Sequence, residues 1–330
     1  MKNICYAQSG GPTAVINESA RGVIETARVH SDKIGTVYAG LNGISGVLNE
    51  NLIDTSLESD AAIAGLRHTP AAAFFSCRHK LKGIDEQRDQ YERLIDVFKA
   101  HNIGYFLYNG GGDSQDTAYK ISQISTQLGY DLQCIGIPKT IDNDLALTDC
   151  SPGFASAAKY LATSIREASY DLASMAASST KVFILEVMGR HTGWLAAATG
   201  IATDRHHDAP HIILFPEHVF SPELFLKKVK DCVKKFGLCT IVVSEGIKDQ
   251  SGHLVQASTT TVDEFGHAQL GGVAHIIANL VKKQLGLKYH YAVADYLQRA
   301  ARHIASKTDL EHAYAVGKKA VELAIAGENA

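Results

Sequence analysis

Short runs of hydrophobic residues alternate along the chain with longer segments of mixed polarity. Six of these runs are almost continuously apolar, which is the pattern of strands that are buried on both faces of a parallel sheet. In chain order they read NICYAQ, IGYFLYN, LQCIGIP, KVFILEVM, HIILFPE and CTIVVSEG. Strands of this kind that alternate with helices predict an α/β fold with mainly parallel sheets.

Three other segments carry apolar residues at helical spacing along one face. One of them follows Ser-Pro-Glu at positions 221 to 223, an order typical of a helix start because serine can cap the helix and proline fits its first turn. Each segment predicts a helix. The apolar sets are Leu161, Ile165, Ala168 and Leu172; Phe225, Val229, Cys232 and Phe236; and Ala313, Val316, Ala320 and Leu323.

The chain is long enough for one large or two medium α/β domains. It has 330 residues, of which 45% are hydrophobic, so the buried core can be large. No linker marks a boundary, but the segment KTIDNDLALTDCSPG interrupts the alternation with several turn-forming residues. We place a domain boundary there, near residues 140 to 150.

The charge balance and the N-terminus narrow the functional classes. The 32 basic and 35 acidic residues are spread along the whole chain and give a formal net charge of -3, which argues against a general nucleic-acid or membrane-surface binder. The N-terminus MKNICYAQSGG lacks the apolar stretch of a signal peptide, and no window is long enough to span a membrane. We therefore expect a cytoplasmic protein.

Cysteine and histidine residues give no sign of a structural metal. The six cysteines form no C-x-x-C pair and mostly lie inside apolar runs, so we expect reduced thiols in the core. The 15 histidines include no H-E-x-x-H motif, and the sequence RHHD at positions 205 to 208 is interpreted as a solvated loop.

Candidate chemistry lies in three loops that follow predicted strands: SGGP, NGGGDS and PKTIDND. Ligands of open α/β sheets bind at the carboxyl ends of strands, so these loops could share one crevice. In NGGGDS, consecutive glycines let backbone N–H groups approach a phosphate, and a helix that starts near Ser114 adds its positive dipole. The Asp113 carboxylate would repel that phosphate unless Mg²⁺ lies between them. The alternative is that Asp113 is only an N-cap and that the glycines only form a tight turn.

Two further segments combine a cation with strand-end geometry. Lys139, Thr140, Asp142 and Asp144 supply charge stabilisation for a phosphoryl group and a general base for a hydroxyl, although a D-N-D run can also be simple turn chemistry. In EVMGRHTGW, Arg190 stands between a glycine and a helix predicted to start near residue 191 or 192. We interpret it as an anion contact rather than a solvated arginine.

Several familiar phosphate-binding signatures are absent from the sequence. There is no G-x-x-x-x-G-K-[ST] motif, no protein-kinase catalytic loop and no G-x-G-x-x-G dinucleotide fingerprint. The chain is therefore neither a P-loop kinase nor a protein kinase.

The motifs that are present resemble the phosphofructokinase family, and most closely its pyrophosphate-dependent branch. They are SGGPTAVIN, NGGGDS, GIPKTIDND, EVMGRHTGW, FPE, VSEG and YLQRA, and they span roughly residues 3 to 300. The resemblance implies two Rossmann-like lobes with the active site in the cleft between them. Residues 1–144 would form the donor lobe, joined by a C-terminal helix at 303–330, and residues 145–302 would form the sugar-phosphate lobe.

The resemblance also implies roles for individual residues in phosphoryl transfer to the 1-hydroxyl of fructose 6-phosphate. Asp142 would be the general base, with Thr140, Ile141 and Asp144 beside it, and Gly11 and Arg78 would hold the phosphoryl donor. Lys181 falls where members place a cation that reaches into a neighbouring subunit, which implies a homodimer or homotetramer. The sugar-side residues would be Met188, Gly189, Arg190, Glu245, Lys288, His290, Tyr296, Leu297, Gln298 and Arg299.

Two positions favour pyrophosphate over ATP as the donor. ATP-using members resemble G-G-D-G-S and G-I-P-G-T, whereas this chain has Asp113 and Lys139 at the two small glycines. A carboxylate about 4 Å from the α-phosphate would cost roughly 4 kcal/mol at an effective dielectric near 20. Lys139 would stabilise charge on pyrophosphate in the transition state. An ATP-dependent kinase and a non-catalytic sugar-phosphate sensor remain the alternatives.

The chain also departs from the family pattern. Gly112 replaces the first acid of the loop, so Asp113 would be its only metal ligand. His290 stands where members often have an arginine, Lys288 could compensate, and another sugar phosphate such as sedoheptulose 7-phosphate stays open as a substrate. QRAA replaces the usual QRGG, and the chain stops at AVELAIAGENA where members usually continue.

Overall fold

The computed structural model describes residues 1–203, 209–255 and 271–330. The RHHD motif at 205–208 therefore lies outside the described residues. The chain divides into two compact units. The first comprises Met1–Ile141, Leu145–Ala155 and Ala305–Ala330, and the second comprises Asp142–Asp144 and Ser156–Ile304.

The first unit is built on a five-stranded sheet with the order β3-β2-β1-β4-β5. Its strands are β1 (Lys2–Gln8), β2 (Ile34–Gly40), β3 (Leu52–Asp54), β4 (Ile103–Gly110) and β5 (Gln133–Pro138). All neighbouring pairs are parallel except β2 and β3, which are antiparallel. The carboxyl ends of β1, β4 and β5 therefore lie side by side.

The second unit contains a four-stranded sheet with the order β7-β8-β6-β9, and every pair in it is parallel. Its strands are β6 (Val182–Val187), β7 (Ile212–Leu214), β8 (Cys239–Ser244) and β9 (Tyr289–Val293). All six apolar runs of the sequence form strands, and the α/β class with mainly parallel sheets is confirmed.

Three strands do not come from continuous apolar runs. In β2 buried and exposed positions mix, β3 is only three residues long, and β9 is an edge strand with largely exposed side chains. An edge strand has one face of hydrogen-bonding groups without a neighbour and needs no continuous apolar sequence. Hydrophobic pattern alone therefore missed these strands.

The predicted helices are present, with one shifted start. The sets at 161–172, 225–236 and 313–323 fall in α6, α8 and α11, and the Ser221 hydroxyl accepts the Leu224 N–H at 3.3 Å to cap α8. The helix expected near residue 191 or 192 starts only at Trp194, because a turn follows Arg190. The helices are α1 (Ile16–Val29), α2 (Gly43–Leu48), α3 (Asp60–Gly65), α4 (Arg88–Ala100), α5 (Gly112–Gln127), α6 (Phe154–Met175), α7 (Trp194–Ala198), α8 (Pro222–Phe236), α9 (Val273–Leu285), α10 (Asp295–Ala300) and α11 (Lys307–Ile325).

The C-terminal helix α11 packs against α1 in the first unit through small residues. A Cβ at Gly22 would lie 2.3 Å from the Tyr314 carbonyl oxygen, and one at Gly317 would lie 2.1 Å from the Ser19 carbonyl oxygen. Only glycine allows this close backbone approach. The tight crossing explains how the end of the chain joins the unit that contains its beginning.

The observed division differs from the sequence-based boundary over residues 145–155. These residues, predicted to begin the sugar-phosphate lobe, group with the first unit, whereas 142–144 group with the second. Pairing explains the difference, because Thr140 and Gly153 form a parallel bridge and the Gly153 N–H donates to Asp309 Oδ1 at 2.9 Å.

All cysteines are free thiols, and four of the six are buried, as expected for reduced core residues. Among the helices that the structure describes, none is long and apolar enough to cross a membrane.

Candidate active site

The three predicted loops lie together at the carboxyl edge of the first sheet, which we call the first edge. The Ser9 N–H donates to the Asn109 carbonyl at 2.8 Å, and the Lys139 N–H donates to the Gly110 carbonyl at 3.1 Å. The order of β1, β4 and β5 dictates this, because parallel strands end on the same side. The sheet thus brings SGGP, NGGGDS and the start of PKTIDND to one edge, whereas Asp142–Asp144 belong to the second unit.

The three glycines of NGGGDS have different structural requirements. A Cβ on Gly110 would lie 2.1 Å from Ser114 Oγ, so packing within the protein excludes a side chain there. A Cβ on Gly111 would meet nothing closer than the Lys139 carbonyl at 3.7 Å, and one on Gly112 would meet nothing within 4 Å. The fold therefore needs glycine at the first position only, and the other two leave the start of α5 open to a ligand.

Helix α5 starts with Gly112 after a Gly111 N-cap that has no side-chain hydrogen bond. Asp113 lies inside the first turn and is not the N-cap, so the alternative that this acid is an N-cap is wrong. The unsatisfied N–H groups at this end carry the positive end of the helix dipole. This geometry favours an anion.

The Asp113 carboxylate forms an ion pair that the sequence interpretation missed. Its Oδ1 lies 2.7 Å from Lys80 Nζ, and the two side chains are 37% and 42% exposed. The hydrogen bond to Asp113 raises the pKa of Lys80 above its ordinary value. Asp113 is thus not an isolated negative charge. The repulsion against ATP was calculated for a lone carboxylate, so it does not apply to Asp113 when it is paired with Lys80. Lys80 lies two residues after Arg78 in FFSCRHK. This second cation in the motif was the sequence signal that could have identified the ion pair.

Lys139 lies beneath the first edge. It is 4% exposed, and its Nζ donates to the Gly11 carbonyl at 2.7 Å, which ties the end of β5 to the SGGP loop. The next residue, Thr140, is fixed through its N–H to Ser151 Oγ at 3.1 Å, and Ile141 is buried. A buried ammonium has lost much of its hydration, so its charge acts strongly on nearby groups.

Arg78 belongs to a segment that runs beside the SGGP loop. Ser9 and Cys77 form a parallel bridge, the Gly10 N–H donates to the Cys77 carbonyl at 3.0 Å, and the Ser76 hydroxyl donates to the Gly10 carbonyl at 2.6 Å. Gly10 has φ 72°, a left-handed conformation that favours glycine. The structure thus holds the Arg78 segment beside Ser9 and Gly10 of the SGGP loop.

The carboxyl edge of the second sheet, which we call the second edge, is built on carboxylate and amide acceptors. β6 leads into Met188-Gly189-Arg190 and β8 leads into Glu245. The Gly189 N–H donates to Glu245 Oε1 at 3.3 Å, and the Ser244 hydroxyl donates to the Gly189 carbonyl. Gly189 has φ 135°, which a side chain would oppose.

Burial raises the pKa of Glu245 to about 7. The N–H of Gly189 opposes this shift, the Asp142 carboxylate adds to it, and the Arg190 guanidinium opposes it. These electrostatic effects show that Asp142, Arg190 and Glu245 are neighbours in the second unit. Glu245 can therefore exchange a proton near neutral pH.

Asp142 is fixed at the second edge through its backbone. The Thr192 hydroxyl donates to the Asp142 carbonyl at 3.0 Å, which positions the TIDND segment against the turn after Arg190. Asp144 is exposed two residues further on. The quoted sequence EVMGRHTGW contains Thr192, but the pattern gave no reason to single it out, because its partner is a carbonyl 50 residues away.

The YLQR motif lies in α10, just after the carboxyl end of β9. Gln298 is buried, and its Oε1 accepts the Met188 N–H at 3.2 Å, which joins this motif to the Met-Gly-Arg turn. The Arg299 guanidinium stacks over the Tyr296 ring, with 3.9 Å between its carbon and the ring centroid. Tyr296 and Leu297 are exposed. All four predicted residues thus belong to the second edge.

Three predicted substrate-binding residues lie at the other end of the second sheet, where its strands begin. Lys181 precedes β6 and Lys288 precedes β9, and the Lys181 N–H donates to the Lys288 carbonyl at 3.0 Å. His290 pairs with Phe183 near the start of both strands. At about 3.3 Å per strand residue, Phe183, which pairs with His290, lies roughly 16 Å from Met188, and Lys181 lies roughly 23 Å from it. Within one chain, these residues are therefore not grouped with Glu245.

Glu186 is a buried acid at the second edge that the sequence interpretation did not assign. Its Oε2 accepts the Ala274 N–H at 2.8 Å and its Oε1 accepts the Gly272 N–H at 3.2 Å, so it caps α9. Burial is the main reason that its pKa is raised. A polar residue inside the apolar run KVFILEVM was the available signal.

Within residues 1–203, 209–255 and 271–330, no three acids, histidines or cysteines form a group that could hold a metal ion. Mg²⁺ differs from structural metals because it is often held by one or two carboxylates together with substrate phosphates. A single partly exposed acid, Asp113, at a helix start is compatible with that mode of binding.

The two edges define a class of protein: an α/β protein with two units of mainly parallel sheet, one edge suited to an anion and the other rich in hydrogen-bond acceptors. A sequence model described as phosphofructokinase matches residues 3–324. The chain belongs to the phosphofructokinase family.

Curated relatives and solved structures agree on the branch of the family. The chain is 64% identical over 329 residues to pyrophosphate–fructose 6-phosphate 1-phosphotransferase of Methylococcus capsulatus, and the match covers 100% of this chain and 78% of the relative. The protein of the same name from Halomonas elongata is 62% identical over 328 residues, with 99% and 78% covered. The crystal structure of a pyrophosphate-dependent phosphofructokinase from Marinobacter aquaeolei has a TM-score of 0.90 at 60% identity and covers 100% of this chain and 77% of that one.

Proposed function

We propose that this chain transfers a phosphoryl group from pyrophosphate to the 1-hydroxyl of fructose 6-phosphate, giving fructose 1,6-bisphosphate and phosphate in glycolysis or gluconeogenesis. We propose that the reaction is reversible. The observation that carries the proposal is the first edge, where the start of α5 is open at Gly111 and Gly112. The names of the relatives agree with it.

The donor would bind at the first edge. Backbone N–H groups at the start of α5 and the helix dipole meet phosphate oxygens, and the buried Lys139 ammonium stabilises the charge that develops on the leaving phosphate. Arg78 would hold the second phosphate, because its segment is hydrogen-bonded to Gly10 beside Gly11. None of these contacts needs an adenine, so pyrophosphate is sufficient as the donor.

The acceptor would bind at the second edge. Asp142 takes the proton of the sugar 1-hydroxyl as its oxygen forms a bond to phosphorus and the bond to the leaving phosphate breaks. Glu245 accepts a sugar hydroxyl, and Arg190 and Arg299 bind the sugar phosphate. Thr140 and Asp144 orient the TIDND segment, and Met188 and Gly189 shape the turn that contacts the sugar.

Mg²⁺ would be held by Asp113 and by oxygen atoms of pyrophosphate. When bound, it neutralises charge on the donor. The chain itself contributes one carboxylate at the helix start, which suits a cation that keeps several waters and phosphate ligands.

We further propose that the enzyme works as a homodimer or homotetramer in the cytoplasm. Lys181, Lys288 and His290 lie at the edge of the second sheet away from Glu245, so a role in sugar binding requires a second copy of the chain. This assignment follows the family resemblance of Lys181.

One coupled assay tests the proposed function. Formation of fructose 1,6-bisphosphate is measured with pyrophosphate, with ATP and with each donor in excess EDTA. We expect product with pyrophosphate and Mg²⁺ only. Equal rates with ATP would identify an ATP-dependent kinase, and sugar-phosphate binding without product from either donor would identify a sensor. Sedoheptulose 7-phosphate in place of fructose 6-phosphate tests the sugar.

A further inference from the structure

Lys80 is held at the first edge by its neighbours in the chain. Leu81 is fully buried, His79 Nε2 lies 3.1 Å from Gln90 Oε1, and the Lys82 carbonyl accepts the Tyr91 hydroxyl at 2.7 Å. The residues around Lys80 are thus anchored near α4, while its own Nζ lies 2.7 Å from Asp113 Oδ1. The backbone on both sides of Lys80 is therefore held by contacts of its neighbours.

The Lys80–Asp113 ion pair adds little to folding. Both side chains are more than a third exposed, and exposed ion pairs of this kind contribute little to stability. Lys120 and Asp116, both within α5, form another lysine–aspartate pair at 2.6 Å, about one turn further along the helix than Asp113. What distinguishes Lys80 is its partner, the carboxylate in the first turn of α5.

We propose that Lys80 is a pyrophosphate-binding residue that exchanges its partner when the donor binds. Without the donor, the Lys80 ammonium neutralises Asp113. When pyrophosphate binds with its divalent cation, the carboxylate turns to the cation and the ammonium turns to a phosphate oxygen. The inference rests on the proposed function and extends it, because it adds a donor contact and couples donor binding to metal binding.

The exchange predicts opposite effects on the two ligands. A divalent cation alone must displace Lys80 from Asp113, so it binds weakly until a phosphate is present to receive the ammonium. Removal of the ammonium should therefore strengthen binding of the cation alone and weaken binding of the diphosphate. A merely structural lysine would shift both affinities in one direction or shift neither.

The experiment compares wild type, Lys80→Met, Lys80→Arg and the control Lys120→Met. Mn²⁺ alone is titrated by the loss of its free electron paramagnetic resonance signal. Methylenediphosphonate, whose bridging carbon prevents transfer, is titrated with Mg²⁺ by calorimetry. For Lys80→Met we expect Mn²⁺ to bind about threefold or more tighter and the diphosphonate about tenfold or more weaker, the usual scale for a lost charged hydrogen bond. Lys80→Arg, which keeps the charge, should stay within about threefold for both ligands, and Lys120→Met should match wild type.

The inference is overturned if Lys80→Met weakens both ligands, leaves both unchanged, or if wild type does not bind the diphosphonate. Thermal unfolding of each variant identifies a general loss of folding. The proposed function fails separately: opposite shifts without any pyrophosphate-dependent product would keep the ion exchange and reject the enzyme activity. Pyrophosphate-dependent product without the opposite shifts would keep the enzyme activity and reject the ion exchange.

Discussion

The carboxyl edges of the two sheets are formed by the same kind of strand end, yet they differ in chemistry. At the first edge there is open space beside Gly111 and Gly112, and Lys139 is a buried cation. At the second edge, Glu186 is buried and Glu245 is partly buried, and both are acids that accept backbone N–H groups. The first edge therefore suits a highly charged anion, and the second suits hydroxyl groups that donate hydrogen bonds.

The difference shows that the ends of the strands determine where a ligand binds. The side chains and backbone N–H groups at those ends determine which kind of ligand binds. Lys139 donates a hydrogen bond to a carbonyl of the SGGP loop, which ties its ammonium to the first edge. Burial raises the pKa of Glu245 to about 7, and the Asp142 carboxylate adds to this shift. At each edge, the surroundings of one charged side chain alter its chemical behaviour.

The largest expected effect comes from the proposed base. Asp142→Asn keeps the size of the side chain and the backbone bond from Thr192 but removes the proton acceptor. We expect kcat to fall by about 10² to 10⁴, the usual span for a general base, with fructose 6-phosphate still bound. Steady-state kinetics and sugar-phosphate calorimetry measure both quantities, and an unchanged kcat would reject the assignment.

A somewhat smaller effect is expected at the first edge. Lys139→Met keeps the apolar stem but removes the buried cation, so turnover with pyrophosphate should fall by about 10²-fold, the scale for one lost electrostatic stabiliser. Lys99→Met, at an exposed position in the last turn of α4, is the control and should match wild type. Wild-type turnover in Lys139→Met would show that the charge at this edge does not act on the reaction.

The glycine loop allows a matched pair of variants. In Gly111→Ala the new Cβ has room within the protein, so folding should be retained while the KM for pyrophosphate rises about tenfold because the methyl group occupies the approach to the helix start. In Gly110→Ala the Cβ would contact Ser114 Oγ, so thermal unfolding should shift to lower temperature. If Gly111→Ala keeps the wild-type KM, the open space at α5 is not the donor site.

The smallest effect concerns the pH dependence of stability at the second edge. The pKa of Glu245 is raised from about 4.5 to about 7. Between these values the folded state keeps a proton that the unfolded state releases, so the stabilising contribution is fully present below pH 4.5 and is lost as pH rises to about 7. Glu245→Gln removes this dependence.

Relative to Glu245→Gln, the Tm of wild type should fall by roughly 5 °C as pH rises from 5 to 8. Glu311→Gln, which changes an exposed carboxylate on α11, serves as the control and should run parallel to wild type. If the plots of Tm against pH are parallel for wild type and Glu245→Gln, the pKa of Glu245 is not raised in the folded protein.

Much of the fold and part of the candidate site followed from the sequence. Continuous apolar runs predicted six strands because a strand buried on both faces must be apolar throughout, and three loops were grouped because parallel strands end at one edge. The edge strand β9 was missed because its side chains are largely exposed. The helix after Arg190 was placed too early because a turn, which has no hydrophobic period, comes first.

The sequence by itself determined the α/β class, the family and the residue types at the two edges, because these depend on local pattern and on ordered motifs. Only the tertiary structure decided that Lys80 pairs with Asp113, that Lys139 is buried under Gly11, and that Lys181 and His290 lie at the other end of the sheet from Glu245. The physical reason is that charge and burial depend on contacts between residues that are distant in the chain. Spacing along the sequence does not encode such contacts.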